Sequence, residues 1–135
     1  MELFAWDNKY SVDIESIDND HKGLIDLINK LFEAMRAGKA KDVLDGTLTK
    51  LISYTRTHFL REETYFRTTN YPGYEEHKDQ HELFIQKVNE LKKHLDKGDS
   101  KISIDLMKFL SDWLINHILV SDRKYAQHLK KFGIR

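Results

Sequence analysis

Five histidines and two carboxylates interrupt the apolar seams of this chain, on four separate segments. His21 precedes Leu24, Leu27, Ile28, Leu31 and Met35. His58 and Glu62 follow Leu44, Leu48, Leu51 and Thr55. His77 and His81 precede Phe84, Val88, Leu91 and Leu95. His117 and Asp122 fall among Leu106, Leu110, Trp113, Leu114, Ile118, Ser121 and Tyr125. Apolar residues recurring every three or four positions mark an amphipathic helix, so each segment is expected to be a helix that turns its polar residues into its own core. That is a severe constraint. Burying this many polar groups without compensation costs several kcal/mol per unpaired group, against a total stability of about 5–15 kcal/mol. A lone histidine on an apolar stripe is ordinarily a hydrogen-bonded core residue. Seven such groups on four segments call instead for one shared partner, and metal coordination compensates all of them at once.

The chain's punctuation gives the connections. Residues 1 to about 15, with Phe4, Trp6 and Tyr10, read as a non-helical N-terminal arm. Ser16 or Asp18 is placed to cap the first helix and Gly38 to end it. The second helix begins near Lys41 and is broken by TTNYPGY, which holds the single proline, Pro72. The segment DKGDS makes the next turn, and the fourth helix stops near Phe132-Gly133. Strand signals are absent. Four helices of roughly 20 to 28 residues with short connections imply antiparallel neighbours, hence an all-α, up-down-up-down four-helix bundle. In that topology the start of helix one, the end of helix two, the start of helix three and the end of helix four share one end of the bundle. All seven polar residues lie there.

Spacing within each helix sharpens the expectation. Residues four apart differ by about 40° around a helix, so His58 with Glu62, and His77 with His81, can reach one site. His117 and Asp122 are five apart, which puts them about 140° apart on a regular helix. For both to reach the site, a wide turn such as a π-bulge is expected between them.

Composition narrows the function. The 135 residues fit one domain with one core. Lys plus Arg and Asp plus Glu both number 22, so the net charge is zero and nothing suggests nucleic acid or an anionic membrane as partner. No apolar run approaches the roughly 18 residues of a transmembrane helix, and MELFAWDNKY lacks the basic start and apolar stretch of a signal peptide. A cytoplasmic location is the expectation. Cysteine is absent, which excludes disulfides, thiolate ligands and a cysteine nucleophile. Imidazoles with two carboxylates suit Fe, Mn, Zn or Cu and not Ca or Mg. Seven ligands exceed the need of one zinc ion; two ions bridged by both carboxylates would use them. Neither the HExxH spacing of zinc proteases nor the Glu-x-x-His spacing of ferritin-like di-iron carboxylate proteins occurs. A histidine-rich shell donates less charge than a carboxylate-rich one and favours holding oxygen over activating it.

The stretches IDNDHKGL, HFLREE, YPGYEEHKDQH and WLINHILVSDRKY, in this order through nearly the whole chain, resemble the hemerythrin family, specifically its bacterial single-domain members. The resemblance implies a hemerythrin-like di-iron domain over residues 1–135, with two Fe ions (Fe2+/Fe3+) joined by an oxo or hydroxo bridge. One iron would be held by His77, His81 and His117, the other by His21 and His58, with Glu62 and Asp122 bridging. The two-histidine iron then keeps an open position for dioxygen. Leu24, Phe59, Trp113, Leu114 and Ile118 match positions that wall the oxygen pocket in the family; as residues they are equally ordinary core. An apolar wall excludes water and stray protons from the site.

Some positions depart from the family's usual pattern. Asp20 stands where Gln is frequent, and could alter hydrogen bonding near His21. Asp13 stands where Gly is common in the arm, and Phe66 replaces a frequent Met. Tyr65, seven residues beyond His58, falls roughly on the same face; it is either a donor to the site or a bundle-end tyrosine half in solvent, the second being the plainer reading. His94 and His128 match no ligand position and are expected at the surface and at the bundle end. The expected function is reversible dioxygen binding, for transport, storage or delivery to an oxygen-using or reductase protein, without enzyme activity. The alternatives are an oxygen or redox sensor, a di-iron enzyme (peroxidase, ferroxidase or nitric oxide reductase) and iron storage.

Overall fold

The structure, a computed structural model, describes residues 4–97 and 102–134, the side chains of residues 42, 114 and 115 excepted. Four helical rods run through the described residues. Helix α1 is Glu15–Arg36. Helix α2 joins Ala40–Tyr54, a π-helical stretch Thr55–Phe59 and Leu60–Thr69 without leaving helical backbone. Helix α3 is Tyr74–Asp96. Helix α4 joins Ile102–Trp113, a π-helical stretch Leu114–Ser121 and Asp122–Lys131. Each rod packs on the rods before and after it, and α1 closes the ring on α4. This is the expected up-down-up-down bundle.

The helix ends follow from backbone chemistry. Gly38 takes φ +71, a conformation that costs glycine nothing, and lets Lys39 N–H reach back to the Ala34 carbonyl at 2.7 Å. Asn70, one of the few side-chain types that tolerates this region, ends α2 the same way at φ +51, with Tyr71 N–H on the Phe66 carbonyl at 2.9 Å. Residues 98–100 of the expected DKGDS turn lie outside the described residues.

The start of α1 corrects the expected cap. The helix begins at Glu15, and the residue before it is Ile14, extended and fully buried, with no side-chain cap. Packing of the arm, and not a capping hydroxyl, sets the boundary. Asp18 instead sits in the first turn and reaches backwards, accepting from Val12 N–H at 2.8 Å and from the Ser11 hydroxyl at 2.5 Å. The arm is also more ordered than expected. Asn8–Tyr10 form one 3-10 turn, and Tyr10, Val12 and Ile14 are buried. Asp13 adopts φ +58, which explains why glycine suits that position, and its carboxylate takes Lys130 Nζ at 2.6 Å.

The core comes in two parts, with a polar layer between them. On α1, His21 lies between Ile17 of the smaller cluster and Leu24 of the larger; on α2, Glu62 lies between Phe66 and Phe59. On α4, Asp122 lies between Tyr125 and Ile118. The larger cluster is built from aliphatics of all four helices, among them Ile28, Leu48, Val88 and Leu110; the smaller one, at the bundle end, is built on Val12, Ile14, Phe66 and Leu129. Each fully buried aliphatic contributes about 1.5–3 kcal/mol, and together they seal the polar layer from both ends. Among the described residues no helix is long and apolar enough to cross a membrane.

Candidate metal centre

All seven expected ligand residues meet in that layer. His21, Glu62 and Asp122 are 0% exposed, and the other four histidines are buried. The π-helical stretch Leu114–Ser121 realises the wide turn that the five-residue step from His117 to Asp122 required, bringing His117 Nε2 to 2.9 Å from Asp122 Oδ1. A second π-helical stretch, Thr55–Phe59, contains His58. Nothing in the spacing signalled it, because an i,i+4 pair already converges on a regular helix.

The two carboxylates stand between two sets of imidazoles. Asp122 Oδ1 is 3.0 Å from His77 Nε2 as well as close to His117, while its Oδ2 is 3.0 Å from His21 Nε2. Glu62 Oε1 lies 3.1 Å from His58 Nε2, 3.0 Å from His81 Nε2 and 3.7 Å from His77 Nε2. Two overlapping groups result, Glu62 with His77, His81 and His117, and Glu62 with His21, His58 and Asp122; in each, the ligating atoms fall within 4.8 Å of one another. Three histidines face one side and two face the other.

These short contacts are not hydrogen bonds. The Nε2 atoms of His21, His77, His81 and His117, Glu62 Oε1 and both Asp122 oxygens are buried and have no hydrogen-bond partner among the described residues. Buried nitrogen and carboxylate atoms crowded around common points without hydrogen-bond geometry are what coordinated cations satisfy and what a polar core tolerates poorly. Nitrogen and carboxylate donors in this mix suit first-row transition metals. The residues present therefore fit a pair of such ions.

Outer partners fix the imidazoles. His58 Nδ1–H donates to Asp20 Oδ2 at 2.8 Å, His81 Nδ1–H to Glu63 Oε2 at 3.2 Å and His117 Nδ1–H to Gln80 Oε1 at 2.6 Å. Each acceptor sets the tautomer, leaving Nε2 free to ligate, and raises its basicity. Asp20 thus serves His58 on the neighbouring helix and not His21 beside it in the chain. Its other partner is Arg61 Nε, at 3.0 Å. The buried Tyr125 hydroxyl donates to Glu62 Oε2 and so orients the shared carboxylate. None of these four roles was expected from the sequence.

Electrostatics reflect the crowding. Burial alone would depress His58, but Glu62 and Asp20 outweigh it and push the imidazole up to about 10. His77 is likewise pushed down by burial and, more strongly, up by Asp122 and Glu62, to about 9. His117 is lowered, burial prevailing over Asp122. Burial opposes ionisation of Glu62 and Asp122 too, yet the surrounding histidines hold both well below the usual carboxylate range.

The expected wall residues surround this layer. Leu24, Phe59 and Ile118 are buried in the larger cluster and Trp113 packs against it; the Leu114 side chain lies outside the described residues. Phe59 stacks on His81, with centroids 3.8 Å apart and planes within 3°, and Trp113 stacks on His117 at 3.9 Å and 14°. These two rings lie flat against imidazoles of the polar layer and limit their rotation. Tyr65 is at the bundle end, its hydroxyl 3.2 Å from Ser16 Oγ. His94 is on the surface beside Glu90, and His128 sits at the bundle end with Nε2 2.8 Å from the Thr69 carbonyl.

Comparison with known proteins agrees with this geometry. The family model described as Hemerythrin HHE cation binding domain matches residues 12–129. A bacteriohemerythrin of Pseudomonas aeruginosa is 33% identical over 130 residues, covering 96% of this chain and 84% of that protein. Myohemerythrin-1 of Phascolopsis gouldii is 34% identical over 128 residues, covering 95% and 96%. A solved structure of wild-type hemerythrin matches with a TM-score of 0.84 at 29% identity, over 94% of this chain and 98% of that one. With its histidine and carboxylate layer inside the matched region, the chain belongs to the hemerythrin family, whose members bind oxygen at non-haem iron.

Proposed function

We propose that this chain binds dioxygen reversibly at a di-iron centre, acting as a carrier, store or source of oxygen and not as an enzyme. The observation that carries the reading is the inequality of the two ligand groups. His77, His81 and His117 face one position; His21 and His58 alone face the other. These seven residues would hold two iron ions, which would supply the two electrons and the binding position that dioxygen needs. The chain's own residues do the rest. Asp20, Glu63 and Gln80 hold imidazoles in the ligating tautomer, and Tyr125 holds Glu62. Leu24, Phe59, Trp113 and Ile118 form the dry wall that keeps water and protons from displacing oxygen.

The test is spectroscopic. Iron-loaded protein is reduced without air, exposed to oxygen and then purged, over several cycles. A visible band that appears with oxygen and vanishes on purging, cycle after cycle, is the expected result. A single irreversible conversion would refute reversible binding and favour an oxidase or a redox sensor.

A further inference from the structure

We propose that the Tyr54 hydroxyl is a hydrogen-bond donor to a small ligand held on the two-histidine side of the centre, and that it selects ligands whose far atom can accept. The proposal rests on the di-iron reading above. Tyr54 occupies the last residue of α2 before the π-helical stretch that carries His58. Its ring lies on the His58 imidazole, with centroids 4.9 Å apart and planes within 17°, and is flanked by Phe59 at 5.9 Å and Phe84 at 6.3 Å. Its hydroxyl is buried and has no hydrogen-bond partner among the described residues.

An unpaired buried hydroxyl carries a desolvation penalty that a phenylalanine in the same place would avoid. Its other ring neighbours, Phe59 and Phe84, are apolar, so the hydroxyl is an exception that packing does not explain. Other phenols near the layer are spent: Tyr125 donates to Glu62, and Tyr65 is engaged with Ser16. Trp113 Nε1 is also buried and unpartnered, but its ring lies on His117, in the three-histidine group. Tyr54 alone, among the described residues, combines an unspent buried phenol with contact to a two-histidine ligand. A phenol is protonated at neutral pH, and this one, buried without an internal partner among the described residues, gains by donating. Dioxygen and small linear anions would present an accepting far atom; a ligand without one gains nothing from Tyr54.

The experiment compares the iron-loaded chain with its Tyr54→Phe variant, using azide as the probe. Iron per chain is measured first, then azide is titrated optically. A hydrogen bond to a charged acceptor predicts azide binding weaker by about tenfold or more in Tyr54→Phe at unchanged iron content. In the metal-free proteins, thermal unfolding of Tyr54→Phe is expected at the same or a higher temperature, because no internal hydrogen bond is lost. Equal azide constants in two fully loaded proteins overturn the assignment, as does a lower unfolding temperature of metal-free Tyr54→Phe, which would reveal an internal partner. Iron lost from the variant alone would make Tyr54 a support of the metal and overturn it too. A parent chain that takes up fewer than two irons overturns the di-iron reading first, and this assignment with it.

Discussion

Replacing Tyr125 by Phe removes one oxygen atom from the centre of the bundle and nothing else. The ring is fully buried and packs on Phe66 at 5.0 Å, His77 at 5.3 Å and Tyr71 at 6.3 Å, contacts that phenylalanine keeps. What is lost is the hydroxyl that donates to Glu62 Oε2, leaving that oxygen buried and without its donor. A hydrogen bond to a charged group contributes about 1.5–3 kcal/mol. For a chain of this size roughly 3–6 °C of melting temperature corresponds to each kcal/mol. The metal-free Tyr125→Phe protein should therefore unfold roughly 5–18 °C below the parent by circular dichroism. In the iron-loaded protein the difference should shrink, because metal bonds then hold Glu62. A metal-free melting temperature within about 1–2 °C of the parent, where about 5 °C is the least expected, would show that Tyr125 does not hold the shared carboxylate.

Two further outcomes follow from the site. His77→Ala should lower iron retention, since it removes a member of the three-histidine group, whereas His21→Ala should abolish oxygen cycling even where iron remains; normal cycling by His21→Ala would disprove the placement of the open position. Proton linkage gives the second. His58 at about 10 and His77 at about 9 are charged at neutral pH in the metal-free protein, and both must be neutral to ligate, so loading should release about two protons per chain, countable by calorimetry in buffers of different ionisation enthalpy. The sign for stability is the opposite of the usual carboxylate case. Both imidazoles are raised above the unfolded value of about 6.5, so the stability they give metal-free protein is complete below that pH and is lost as pH rises through about 9 to 10. Metal-free protein should melt lower at about pH 9 than at about pH 7, and an equal or higher melting temperature at the alkaline pH would contradict the linkage.

What was legible in the chain was what lies along single helices. The three-and-four spacing around Leu24, Leu48, Val88 and Leu110 reported which face each helix buries, and the shared bundle end followed from short connections. The misfit of His117 with Asp122 even revealed a π-helical stretch, because a regular helix could not serve both. Contacts between helices were not legible. Asp20 immediately precedes His21 in the chain, yet consecutive residues point about 100° apart on a helix, so its carboxylate serves His58 across the interface. Nothing in the spacing around Gln80 or Glu63 marks either residue, because their imidazole partners lie on α4 and α3. Tyr125 read as one more seam position, since spacing reports that a ring is buried and not where its hydroxyl goes. The start of α1 was missed for a related reason: burial of Ile14 by tertiary packing overrode the local capping signals at Ser16 and Asp18.

Seven residues, His21, His58, Glu62, His77, His81, His117 and Asp122, are proposed to hold two metal ions in one layer of the bundle. Crystals of iron-loaded protein measured on both sides of the iron absorption edge test this directly. Two anomalous peaks are expected, both adjacent to Glu62 and Asp122, one also beside His77, His81 and His117 and the other beside His21 and His58. A single peak, or peaks away from these side chains, would contradict it.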